Sequence, residues 1–149
     1  MIVRKATDAD MVSVALLRRR AGEEDGPVPD PGFEAEFARW WERERSYREF
    51  WLAEIDDKPV GFCCLVEVTR MPKPGIRGGA WGYLSNFFVL PEHRNAGVGA
   101  ALIAALLRHA EDLGYPRVVL TPSERAIPFY ERAGLSPADS LMLRVFATE

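Results

Sequence analysis

With 149 residues, 48% of them apolar and 28% charged, the chain has the size and composition of one globular domain with its own core. Nineteen Lys and Arg against 22 Asp and Glu leave a formal charge of -3, which offers no basic face to nucleic acid or an anionic membrane. Four Trp, eight Phe and four Tyr exclude intrinsic disorder, and two cysteines exclude a disulfide scaffold. Cys63 and Cys64 are adjacent, so on a strand they face opposite ways, badly placed to bond each other or share a metal. The two His residues and the absence of CxxC or HExxH spacing give no metal site. The opening MIVRKATDADM has no apolar signal core, and no apolar run reaches the roughly 18 residues of a membrane span. A reduced, cytoplasmic, soluble protein is expected.

Ile2 to Ala6 reads as a short strand, and Thr7 with Asp10 three residues on resembles a helix-starting capping box. A helix follows, with Val12, Ala15, Leu16 and Arg19 at helical spacing, Val14 and Leu17 beside them, and Gly22 at its end. Glu23 to Gly32 holds three prolines and two glycines and is a loop. Phe33, Phe37, Trp40, Trp41 and Tyr47 recur at helical intervals and predict a second amphipathic helix over 33–47. Glu49 to Ile55 and Val60 to Val68 then alternate as strands around an Asp56-Asp57-Lys58-Pro59 hairpin turn. Ala80 to Leu90, aromatic and nearly uncharged, reads as a central strand covered on both faces.

A helix over 98–113 follows, closed by Gly114; its uncharged stretch Val98 to Leu107 predicts burial on most sides. A short strand over 117–121, a helix over 123–133 and an alternating final strand, Leu141 to Phe146, complete one α/β domain.

The chemistry sits in Pro91-Glu92-His93-Arg94-Asn95-Ala96-Gly97-Val98-Gly99-Ala100, between a strand and a buried helix. Two glycines let a ligand approach the backbone, free N–H groups leave the first helical turn, and Arg94 adds positive charge. That is an anion site suited to phosphate. A P-loop is excluded because neither Lys nor a hydroxyl follows the glycines. A dinucleotide fingerprint is excluded because Leu102 replaces the third small residue and Thr121 stands where an acid is wanted.

Arg94-Asn95-Ala96-Gly97-Val98-Gly99 resembles the Arg/Gln-x-x-Gly-x-Gly/Ala signature of the GNAT superfamily of N-acetyltransferases. Ser123 to Leu135, with Ala126, Phe129, Tyr130 and Gly134, resembles that family's second motif, and the element order extends the resemblance over most of the chain. The resemblance implies an α/β (α+β) single domain over 1–149. Its mixed, mostly antiparallel sheet would have a splayed strand pair and about four flanking helices. It implies acetyl-CoA as acyl-donor cosubstrate, an amine-bearing acceptor and a homodimer. The pyrophosphate would lie on the amides of Asn95, Ala96, Gly97, Val98, Gly99 and Ala100, beside Arg94, with the thioester near the backbone of Val89. Tyr130 would protonate the departing thiolate, as a phenol of ordinary pKa near 10 is protonated at neutral pH.

Two positions depart from the pattern. Ser123 replaces an Asn that touches the cofactor, and Ser85 and Asn86 stand where the family often carries acids. The general base therefore lies elsewhere or is water, and a non-catalytic acyl-CoA-binding module stays open as the alternative. His93 reads as a turn residue, His109 as a helix-terminal cation, and Cys63 and Cys64 as core. Glu67 is either a rim residue of the acceptor pocket or a solvated strand end. Glu23, Glu24 and Asp25 either attract a cationic amine or are simply solvated. Trp40 and Trp41 belong to the core, with one of them doubling as pocket wall.

Overall fold

The computed structural model describes residues 1–147. Among them five strands, β1 (Ile2–Lys5), β2 (Arg48–Ile55), β3 (Lys58–Thr69), β4 (Ala80–Val89) and β5 (Val118–Val119), form one sheet in the order β1-β2-β3-β4-β5. The first four are antiparallel, and β5 joins β4 in parallel. Four helices flank it: α1 (Met11–Gly22), α2 (Phe33–Glu44), α3 (Val98–Asp112) and α4 (Ile127–Arg132). This is the mixed sheet with about four helices that the sequence implied. Among the described residues no helix is long and apolar enough to cross a membrane.

Strand alternation divides the core into two layers. Trp51 and Cys63 face α3: the Trp51 ring packs edge-on to His109 at 5.1 Å, and the Cys63 thiol lies 3.8 Å from the Leu102 carbonyl. Phe50 and Phe62 face the other way, where Trp40 and Trp41 of α2 meet Phe50 edge-on. Both cysteines are buried and free, and burial pushes their thiols up, which suits inert core residues.

Several elements differ from expectation. On α1 the buried face is Met11, Val14, Ala15 and Leu17, while Val12 and Leu16 are exposed. Apolar residues surround this helix, so spacing alone selects no single stripe. α2 ends at Glu44, because Arg45 to Tyr47 must turn the chain into β2. The hairpin turn is tighter than predicted: Ile55 pairs with Lys58, and Asp56 and Asp57 take positive φ of 49° and 59°.

β4 is not central. It lies next to the edge, and its residues Ser85 to Phe87 are only half-buried. Only one face of α3 is fully buried, through Val98, Leu102, Ile103, Leu106 and Ala110, while Ala100 and Ala104 meet solvent. β5 keeps two residues of the five expected, between Pro116 and Pro122. Pro128 in the first turn of α4 fixes that helix's start, leaving Glu124–Ala126 as a 3-10 turn. No strand forms over 141–146. A strand needs a partner ladder, and β5 is two residues long; Met142, Leu143 and Phe146 stand in solvent.

The expected capping box is present. Asp10 accepts the Thr7 amide at 2.7 Å, and Arg4 donates to both Asp10 oxygens at 2.8 and 2.9 Å. Arg4, then Thr7, hold the Asp10 carboxyl well below the usual carboxylate range. A depressed folded-state pKa adds stability above the unfolded value, about pH 4, and loses it as the pH falls lower. Asp10→Ala should therefore cost about 1 kcal/mol at neutral pH and less near pH 2, read by urea unfolding at both.

Candidate active site

β4 and β5 pair only at Gly82–Val118 and Tyr83–Val119. Beyond those residues the two strands part, and the gap becomes a cleft of about 280 Å³ between Leu84–Phe87 and Leu120–Ser123, with Tyr130 in its wall. The splayed strand pair is thus present. The Leu90 N–H bonds the Val60 carbonyl of β3 at 2.9 Å, so the Val89 N–H and C=O point the other way, into the open side.

At the end of this open edge lies the glycine-rich turn. Asn95 and Gly97 take positive φ of 60° and 84°, which swings the chain into α3. The first bond of that helix runs from the Ala101 N–H to the Gly97 carbonyl at 3.0 Å. The amides of Val98, Gly99 and Ala100 precede it and point out of the helix end. The two glycines serve different needs. Gly97 supplies the left-handed conformation, whereas a Cβ on Gly99 would meet the Phe129 ring at 3.1 Å.

Arg94 is engaged differently from the free cation the sequence implied. Its Nε donates to the Val89 carbonyl at 2.9 Å, and its other end pairs with Glu24. It ties the strand end to the loop after α1, so the positive character of the turn comes chiefly from the amides. Glu23 pairs with Arg19 at 3.2 Å. Two of the three loop acids therefore hold arginines rather than rim an acceptor pocket.

Tyr130 is almost fully buried, its ring edge-on to Phe129 at 5.0 Å and to Phe87 at 6.1 Å. Its hydroxyl makes no hydrogen bond among the described residues, and burial, with a smaller effect of Cys63, pushes its pKa up to about 12. Ser123 precedes the 3-10 turn, and its carbonyl receives the Ala126 amide at 2.9 Å, leaving the side chain on the cleft.

A second hollow, about 370 Å³, opens on the other side of β4, walled by Phe33, Phe37, Trp40, Phe50 and Phe62. Ser85 and Asn86 line both hollows because of a bulge: Cys64 pairs with Asn86 and Leu65 with Leu84, so Ser85 is the extra residue. Arg48 fixes this point. It donates to the Ser85 hydroxyl at 3.1 Å, pairs with Glu44 at 3.0 Å and lies 4.9 Å over the Trp40 ring. Sequence reading missed Arg48, whose partners stand 4 and 37 positions away. Trp40 does double as core and pocket wall.

Glu67 lies elsewhere. It faces α3, on the opposite side of the sheet from the aromatic hollow, and accepts the Tyr115 hydroxyl at 2.6 Å. His93 sits in the turn before Arg94, and His109 packs on Trp51.

The model of the acetyltransferase (GNAT) family matches residues 14–135. Among curated relatives, a glucosamine 6-phosphate N-acetyltransferase of Trypanosoma brucei brucei is 42% identical over 59 residues, 39% of this chain and 40% of the relative. A mycothiol acetyltransferase of Frankia alni is 39% identical over 88 residues, 56% of this chain and 26% of the relative. The chain thus spans less than half the length of these two curated relatives. A predicted acetyltransferase of Clostridium acetobutylicum, solved with acetyl-CoA, superposes with a TM-score of 0.77 at 20% identity, covering 97% of this chain and 95% of that one. Glucosamine-6-phosphate N-acetyltransferase of Arabidopsis thaliana gives 0.74 at 20% identity, covering 98% of each chain. With its motifs, splayed strands and family match over residues 14–135, the chain belongs to the GNAT acetyltransferase family.

Proposed function

We propose that this chain is an acyl-CoA-dependent N-acetyltransferase, working as one domain, that passes the acetyl group of acetyl-CoA directly to a primary amine. One observation carries the reading. The splayed strands open a cleft with the unpartnered Tyr130 hydroxyl in its wall, it shares Ser85 and Asn86 with a second hollow, and the strand that forms it leads into the amide-rich start of α3.

In this reading the amides of Asn95 to Ala100 hold the pyrophosphate, and the Val89 N–H donates to the thioester oxygen as negative charge develops there. Arg94 keeps that strand end and the turn in register, and Ser123 supplies a hydroxyl to the cofactor arm. The amine enters from the aromatic hollow. Its nitrogen forms a bond to the acetyl carbon, the carbon–sulfur bond breaks, and the thiolate takes the Tyr130 proton. The proton lost by the nitrogen passes to water, which restores the phenol. The products are an N-acetyl amine and CoA thiol.

Ser85 already accepts a hydrogen bond from Arg48, and among the described residues neither a carboxylate nor an imidazole lines the cleft. The acceptor's own ionisation then controls the rate. With two amines of different pKa, free-thiol release should rise with pH toward each amine's own value. A single apparent pKa common to both acceptors would instead indicate a protein base.

The same lack of a base supports the second reading, a non-catalytic acyl-CoA-binding module. That reading predicts acetyl-CoA binding with no amine-dependent release of thiol from any acceptor.

A further inference from the structure

The chemistry of the aromatic hollow bears on the acceptor itself. Among the described residues three charged side chains line it, Arg18, Glu36 and Arg48. Arg48 is neutralised by Glu44 at 3.0 Å, and Glu36 by Arg39 at 2.8 Å. Arg18 belongs to a run of three arginines on α1. Arg19 pairs with Glu34 and Glu23, and Arg20 with Glu92, whereas Arg18 has no carboxylate within ion-pair distance among the described residues. The hollow therefore holds one positive charge in excess.

Its walls are as telling as its charge. Five of its ten lining residues are aromatic, and Ser85 and Asn86, which it shares with the cleft, are its only uncharged polar residues among those described. A ligand rich in hydroxyls would bury most of them against ring carbons, since the Trp40 indole N–H is the one donor these rings carry, which is costly. A ligand with a second cation would be repelled by Arg18. A single carboxylate matches a single guanidinium, bidentate and planar, better than a doubly charged phosphate that would call for further donors.

We propose that the acceptor is an amino acid with an aromatic or large apolar side chain, its side chain held among the rings of α2, β2 and β3 and its carboxylate by Arg18. The inference rests on the transferase reading for the fate of the amine, but the selectivity of the hollow is measurable without turnover.

The test is calorimetric binding of phenylalanine, phenylalaninamide, alanine and glucosamine 6-phosphate to the acetyl-CoA-saturated protein, beside free-thiol release with each. Phenylalaninamide loses the negative charge and has the larger free-base fraction near neutral pH, so a preference for the acid reports recognition rather than amine ionisation. Phenylalanine is expected to bind at least tenfold more tightly than its amide and than alanine, and Arg18→Gln should bring acid and amide to within about twofold. Arg18→Lys should keep part of the preference. Arg18 is exposed at the rim, so these variants are expected to fold, which their unfolding curves verify.

Equal binding of acid and amide, tighter binding of glucosamine 6-phosphate, or a preference untouched by Arg18→Gln would each overturn the inference. Acetylation of the amide as efficient as that of the acid would do so as well, while leaving the transferase reading intact. Selective binding of phenylalanine with no thiol release would sustain the selectivity and overturn the transferase reading instead.

Discussion

Gly97→Asp is expected to weaken acetyl-CoA binding at least a hundredfold, roughly 2.7 kcal/mol, with the fold retained. The position has open space around it and a φ of 84°, so the new side chain meets no wall. It meets the ligand. A carboxylate beside amides that point at a pyrophosphate sets like charges together, and the turn's own arginine, Arg94, is already paired with Glu24. Asp tolerates the left-handed region better than most residues, so backbone strain is a small part of the loss. Gly97→Asn has nearly the same shape without the charge and should lose far less affinity. Calorimetry on the pair separates the two causes, and equal losses would assign the effect to strain rather than to an anion site. Gly99 is a poorer probe, because any side chain there collides with Phe129 and disturbs α4.

Tyr130→Phe is expected to lower kcat by about a hundredfold or more while leaving the acetyl-CoA Kd within about twofold. The ring is anchored by Phe87 and Phe129, and the hydroxyl has no protein partner among the described residues, so its removal breaks no contact that holds α4. The phenol's pKa of about 12 keeps it protonated across the working range. Loss of the acid should therefore not limit the wild-type rate until the pH approaches that value. Stopped-flow release of free thiol at saturating acceptor reads the first effect, and a pH profile reads the second. An unchanged kcat in the variant would remove Tyr130 from the chemistry.

The parts of the molecule written locally were readable from the chain. The glycine-rich turn, the capping box at Thr7–Asp10 and the α2 aromatic stripe each depend on residues a few positions apart. What the chain did not disclose depends on partners far along it. Ser85 becomes the extra residue of a bulge only against the register of β3, and Arg48 reaches Ser85 across 37 positions. The spare charge on Arg18 emerges only after its two neighbours have found carboxylates 15 and 72 positions away.

The failures have the same origin. Leu141 to Phe146 alternates like a strand, but alternation supplies one side of a ladder, and β5 is too short to supply the other. β4 has the apolar run of a central strand because it walls a cleft and a hollow, which want aromatic residues as much as a core does. On α1, apolar residues on two stripes left the buried face undetermined until the sheet selected Val14 and Leu17.

The central claim is that the splayed-strand cleft and the glycine-rich turn together take acetyl-CoA, and thermal unfolding with the ligand present tests it most directly. At a hundredfold excess over its Kd, a ligand that binds only the folded state adds about 2.7 kcal/mol of stability. Acetyl-CoA should raise Tm by several degrees, ATP and NAD should have little effect, and Gly97→Asp should abolish the acetyl-CoA shift. An unchanged Tm at millimolar acetyl-CoA, or an equal shift in Gly97→Asp, would contradict the assignment of the cleft.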